Sequence, residues 1–295
     1  MKGLALSENY YRLYGERMIA EHFSRYRSRI AVGLAGEGSE CFGFDDEISR
    51  DHDWGPGFCI WLTDEDYEAI GHQLQNAYEK LPTVFQGFRR IIGHWGVGRV
   101  GVMTISAFYK KFIGLSHIPE NADQWLAIPE SHLAACTNGK IFTDPLGIFT
   151  EIRRKLFTDC PESVRLMKIA FHCMSAARAG QYNFKRSVQR GEMFAARFAE
   201  TQFSADILLL VFLLNHRHAP FFKWRHRAAR DLPILGAFIH NQIESLFATD
   251  NIRDKQDIIE TICAEVIREL RGRGLTDSQS NFLLDHGLKI QTRWK

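Results

Sequence analysis

Two aspartates, Asp51 and Asp53, stand two residues apart just before the strand-forming run Phe58-Cys59-Ile60-Trp61-Leu62. On an extended segment, side chains at i and i+2 point the same way. Both carboxylates are then expected side by side at one end of a sheet, with His52 facing away. Like charges held that close repel and raise a pKa unless a cation joins them. Mg²⁺ is the natural cation, because it takes hard oxygen ligands and shares its shell with substrate phosphates. Gly38-Ser39 lies a short way upstream, where a turn leaving a strand exposes N–H groups that can hold phosphate oxygens. The whole stretch, GEGSECFGFDDEISRDHDWGPGFCIWL, carries seven carboxylates in a chain whose formal net charge is only +2. The chemistry expected is metal-assisted handling of a phosphorylated ligand.

These residues need elements to position them. Residues 30–35, IAVGLA, read as a buried strand running into Gly36-Glu37-Gly38-Ser39, and residues 58–62 as a second strand. A helix precedes the first, with Tyr11, Tyr14 and Met18 on one face and Ser7 as its N-cap. Another helix follows the second strand, with Thr63 and Asp66 as a loose capping box, and ends near Leu81-Pro82. Residues 100–105, VGVMTI, read as a third strand. From about Asp144 the pattern turns helical. Residues 207–214, ILLLVFLL, form the longest apolar run, a helix buried all round and too short to cross a bilayer. Ile259, Ile262, Val266 and Leu270 mark a later helix stopped by Gly272 and Gly274, and Thr276 with Gln279 predicts a capping box for a short last one. The expected fold is an α/β (α+β) N-terminal domain with a small mixed sheet over residues 1–148, then an all-helical domain over 149–295.

Composition bounds the alternatives. With 45% hydrophobic and 24% charged residues the chain has the makeup of a globular protein with a sizeable core. Its near-neutral charge supplies no global field towards nucleic acid or membrane. The six cysteines form no CxxC pair and no zinc spacing, and read as reduced, buried thiols of a cytoplasmic protein.

A hydrophobic strand, Gly-Ser, an eleven-residue gap and Asp51-His52-Asp53 together resemble the nucleotidyltransferase superfamily of the DNA-polymerase-β type. More narrowly, residues 36–58, the stretch from Asp123-Gln124-Trp125-Leu126 to Leu156, and RHAPFFKW at 217–224 resemble a family of uncharacterised bacterial proteins within it. The resemblance implies that Gly38 and Ser39 hold nucleotide phosphates and that Asp51 and Asp53 bind Mg²⁺ or Mn²⁺. It implies a nucleoside triphosphate as co-substrate, ATP before the others, and an acceptor hydroxyl on a small molecule, protein or RNA. A third carboxylate belongs on a later strand, but residues 100–105 carry no acid. Asp144 is taken for that catalytic role, with Glu130, Asp45 and Asp46 as alternatives. Among the basic and aromatic residues at 215–230, Lys223 is assigned to reach the triphosphate and Trp224 to shape the pocket, with Arg186 and Arg190 as weaker candidates. The missing strand acid motivates an alternative, a nucleotide-binding or interaction protein without transfer chemistry.

Other motifs read differently. The glycine pattern at 96–101 is followed by a strand rather than a helix, so it is a turn rather than a dinucleotide fingerprint. A helical His-Asp metal dyad at His52-Asp53 is excluded by Gly55-Pro56-Gly57. His216 and His218 read as packing at a helix end rather than zinc ligands. The remaining scattered histidines, including His94 and His240, read as structural. The acids of residues 45–47 read either as a solvated charge run or as a loop that orients the phosphate turn or the metal pair, with pairing to Arg50 as structural support an equal alternative.

Overall fold

The computed structural model describes residues 1–90, 96 and 98–293. In chain order the elements are α1 (Gly3–Tyr10), α2 (Glu16–His22), β1 (Ala31–Leu34), β2 (Cys59–Leu62), α3 (Asp64–Asp66), α4 (His72–Glu79), β3 (Val84–Phe85), β4 (Phe88–Arg89), β5 (Gly101–Thr104), α5 (Ile105–Ile113), α6 (Ala122–Ala127), α7 (Glu130–Thr137), β6 (Lys140–Thr143), α8 (Ile148–Thr158), α9 (Glu162–Ala177), α10 (Lys185–Gln189), α11 (Met193–Leu214), α12 (Phe222–Ala229), α13 (Gly236–Ala248), α14 (Ile252–Gly272) and α15 (Leu283–Arg293). They fall into two compact units, Met1–Glu120 with His132–Asp159, and Asn121–Ser131 with Cys160–Lys295. The first unit therefore runs past the expected boundary at 148, and a short segment before it belongs to the second. The reason for the extension is Phe149 of α8, whose ring stacks on Trp61 of β2 at 3.9 Å.

The first unit is built on a mixed four-stranded sheet in the order β5-β2-β1-β6. β1 is antiparallel to both β2 and β6, and β2 is parallel to β5. Every residue of β1 and β2 is buried because both sheet faces are covered. Val32, Ile60 and Leu62 pack with Leu6, Tyr10, Met18 and Leu74, so α1, α2 and α4 cover that face. Trp61 turns the other way onto Phe108 of α5 and Phe149 of α8, the period-two alternation of a strand. Gly33 matters here: a Cβ on it would meet the Lys140 carbonyl of β6, so only glycine lets the two strands approach at the register shift beside it.

Three local expectations are corrected. The first helix begins at Gly3, and Ser7 lies inside it, its hydroxyl donating to the Gly57 carbonyl. The strand read to residue 105 ends at Thr104, whose Oγ1 accepts from the Ala107 amide at 2.9 Å and caps α5. Thr276 and Gln279 form no cap for the last helix, which starts at Leu283; Thr276 instead accepts from the Ser278 amide and pairs with His286. The Thr63 cap stands, its Oγ1 accepting from the Asp66 amide at 3.1 Å. Within the glycine pattern the Arg99 amide donates to the Gly96 carbonyl at 3.2 Å and β5 follows from Gly101; residue 97 lies outside the described residues.

The second unit is helical. Its core joins Ile169 and Cys173 of α9, Phe203 and Ile207 of α11, and Ile262 and Val266 of α14. The 207–214 run forms the buried C-terminal third of α11. Among the described residues no helix is long and apolar enough to cross a membrane.

Candidate functional site

The glycine turn leaves β1 as expected. Gly36 has φ +133°, open to glycine and costly for other residues. Asn138, far away in sequence, fixes it from both sides: its Oδ1 accepts from the Gly36 amide at 2.9 Å and its Nδ2 donates to the Gly36 carbonyl at 2.7 Å. Gly38 precedes a short 3₁₀ turn at Ser39–Phe42. A Cβ on Gly38 would run into the Glu40 carboxyl, so Glu40 folds back over the glycine. Burial pushes the Glu40 pKa up, and the attraction of Arg90 and Arg99 only partly offsets this.

Around this turn lies a narrow cavity of about 20 Å³, lined by Gly36, Gly38, Glu40, Arg90, Arg99 and Lys111 among others. Arg90 pins the 53–55 loop, donating to the Asp53 carbonyl at 3.1 Å and the Gly55 carbonyl at 3.0 Å. Arg99 approaches Asp53 at 3.4 Å and Glu37 at 4.0 Å, and Lys111 pairs with Glu37 at 3.0 Å. Arg99 and Lys111 thus pair with Glu37 and Asp53 beside the glycine turn, while Arg90 is held by two backbone carbonyls. Arg90, Arg99, Lys111 and Asn138 escaped the sequence reading because nothing in their spacing ties them to residues 36–39.

The aspartate pair does not have its expected geometry. Asp51 is in the right-handed helical region and Asp53 is left-handed, with φ +54°. The segment is therefore not extended, and the i, i+2 rule does not align the two side chains. Asp51 is largely exposed, its carboxylate bonded to the amide and ring of its neighbour His52, each at 2.9 Å. His52 does not face away. Asp53 is buried against Gly96, where only the missing Cβ leaves room for its carboxylate, and against Arg99. Among the described residues neither aspartate joins a third metal-ligating side chain at ligand distance. As arranged, these residues do not fit a two-metal centre.

The other candidates belong to both units. Asp144 follows β6 and holds the turn into α8, accepting from the Gly147 amide at 3.1 Å and the Thr150 amide at 2.8 Å. Asp45 ties down the N-terminus, accepting from the Gly3 amide at 2.7 Å and the Trp54 indole at 3.1 Å. Asp46 closes an exposed turn with Ser49. Arg50 lies over the Trp54 and Phe88 rings rather than the neighbouring acids. Lys223 and Trp224 lie on α12, with the Lys223 ammonium 5.2 Å from the indole centroid. Arg186 is exposed and lies over Tyr182, and Arg190 is exposed at the C-cap of α10. His94 lies outside the described residues.

The second unit contains a polar network that sequence spacing only hinted at. Lys168, His172 and Ser175 recur on one face of α9. Glu130 pairs with Lys168 at 2.7 Å and His218 at 3.0 Å. Asp206, from the buried helix α11, accepts from His172, Ser175 and Gln202 at 2.8, 2.6 and 2.9 Å. Arg225 is pulled down by burial, opposed by the pull of Asp206 and Glu130. His218 is thus a carboxylate partner rather than half of a zinc pair.

Burial alone would raise the Glu130 pKa; the His218 hydrogen bond and the Lys168 charge outweigh it and bring it down to about 2. A depressed carboxyl contributes stability above its unfolded value near 4.5, and that contribution is lost as pH falls from there through about 2. The shift corresponds to at most about 3 kcal/mol. Urea unfolding on both sides of that window will therefore show a shallower acid limb for Glu130→Gln than for the parent; equal limbs would remove Glu130 from the acid response.

A family model described as "Domain of unknown function (DUF4037)" matches residues 125–225, the segment that contains every member of this polar network. The chain is also similar to the crystal structure of a nucleotidyltransferase-like protein from Exiguobacterium sibiricum 255-15. The two are 11% identical, with 97% of this chain and 88% of that one covered and a TM-score of 0.36. A score that low does not establish a common fold. No curated protein matches the chain.

Proposed function

We propose that this chain is a nucleotide-binding protein of the nucleotidyltransferase type, taking the phosphates of a nucleoside triphosphate at residues 36–39. The observation that carries this reading is the meeting of Arg90, Arg99 and Lys111 with the glycine turn at the end of β1 in a single cavity. Guanidinium groups bind phosphate oxygens in pairs, and backbone N–H groups of a turn do the same. The cavity holds about one water, so a phosphate enters by displacing Glu37 from Arg99 and Lys111.

Transfer of a nucleoside monophosphate to an acceptor hydroxyl is the second reading, favoured by Asp51-His52-Asp53 following a strand and Gly-Ser. It requires Asp53 to leave Arg99 and Asp51 to leave His52, and no acid on β5 supports them. Calorimetry with ATP and Mg²⁺ tests the first reading, which is lost if the purified chain binds no nucleoside triphosphate. Incubation with α-labelled nucleotide and cell extract tests the second. Transfer predicts labelling that disappears in Asp51→Asn/Asp53→Asn and persists in Asp64→Asn. Binding without any label leaves the first reading alone.

A further inference from the structure

Away from the glycine turn, α12 and α13 bring His226, His240 and Glu244 together. One ring nitrogen of each histidine and a carboxylate oxygen of Glu244 lie within 4.8 Å of one another. His240 and Glu244 are one turn apart on α13, which puts them on one face, with His240 Nε2 3.8 Å from the Glu244 carboxylate. His226 comes from α12, its ring parallel to that of His240 with centroids 4.1 Å apart.

The outer contacts of the two rings carry the argument further. His226 Nε2 faces the His240 backbone carbonyl at 3.0 Å. A carbonyl only accepts, so Nε2 is the donor in this contact and Nδ1 is the ring nitrogen left for another partner. His240 Nδ1 lies 3.3 Å from the Asn241 side-chain oxygen, and its Nε2 is the atom 3.8 Å from Glu244. A metal-ligating histidine is normally oriented in this way, by donating its other N–H to a carbonyl or carboxylate.

We propose that His226, His240 and Glu244 form a binding site for one divalent transition-metal ion of the zinc class. Two imidazoles and one carboxylate match the donor set of sites that keep a fourth position open. That position has somewhere to open: His226 and Glu244 also line an apolar groove of about 670 Å³ with Leu208, Phe222, Arg225 and Phe247. The three ligands come from two helices and share no compact sequence spacing, which is why His240 reads as merely structural in the linear chain.

The test uses the full chain, stripped with chelator and titrated with Co²⁺ as a coloured stand-in. The expected result is one cobalt per chain with the visible absorption of a four-coordinate ion, bleached by Zn²⁺, and a metal-dependent rise in melting temperature. His240→Asn and Glu244→Gln each weaken binding by at least about tenfold, the least that even an outer-shell loss costs. Glu244 is solvent-exposed, so its glutamine variant keeps the fold and separates metal binding from packing. His117→Asn, in the first unit, binds as the parent does. No colour at millimolar cobalt, or colour undiminished in His226→Asn/His240→Asn, overturns the site.

Discussion

Replacing Glu200 with Leu will destabilise the helical unit by about 3–5 kcal/mol, the cost of leaving a buried charge without its partner. Glu200 of α11 and Lys255 of α14 are fully buried and ion-paired, and the Lys255 ammonium also donates to the Leu246 carbonyl at 2.6 Å. Without Glu200 that ammonium keeps one neutral carbonyl and a phenylalanine ring 5.9 Å away. Lys255→Met costs less, because Arg197 still reaches Glu200 at 3.2 Å. The double variant Glu200→Leu/Lys255→Met recovers most of the loss, since it removes both charges and leaves one unpaired carbonyl. Urea unfolding followed by helical circular dichroism measures all three, with the first unit's transition fitted separately. Single-variant losses below about 1 kcal/mol would put the pair in the range of a surface salt bridge and refute this account.

That ion pair also shows what a sequence does and does not disclose. Lys255 stands on the stripe of Ile259, Ile262, Val266 and Leu270, and Glu200 on that of Ala196, Phe203 and Ile207. A lone charge on an apolar stripe is a visible signal, but its partner lies on another helix and is invisible to periodicity. The same division holds elsewhere. The strands, the glycine turn and the buried α11 run were legible because burial repeats with period two or 3.6. The cations that line the cavity were not, because Arg90, Arg99 and Lys111 meet only after the sheet forms. The Asp51 and Asp53 geometry was misread through one assumption, an extended backbone. A left-handed Asp53 beside Gly55 breaks that assumption, and no single residue in the stretch announces it.

Arg99→Gln will weaken ATP binding by about 2–5 kcal/mol, the usual cost of truncating one member of a desolvated charge pair. Arg99 is the group that links the two halves of the proposed site: it lies in the cavity beside the glycine turn and holds the buried carboxylate of Asp53. Its loss removes a proposed phosphate donor from the cavity lining and takes the cation away from the buried Asp53 carboxylate. Lys111 lines the same cavity, yet it is half-exposed and pairs with exposed Glu37. Lys111→Gln is therefore expected to cost no more than about 1 kcal/mol. Arg99→Lys keeps the charge but not the planar fork and falls between the two. Calorimetry with ATP orders the three variants, and thermal melts taken alongside separate binding from folding. If Arg99→Gln melts lower than the parent but binds ATP as tightly, the arginine only supports the Asp53 loop, and the phosphate site lies somewhere other than the end of β1.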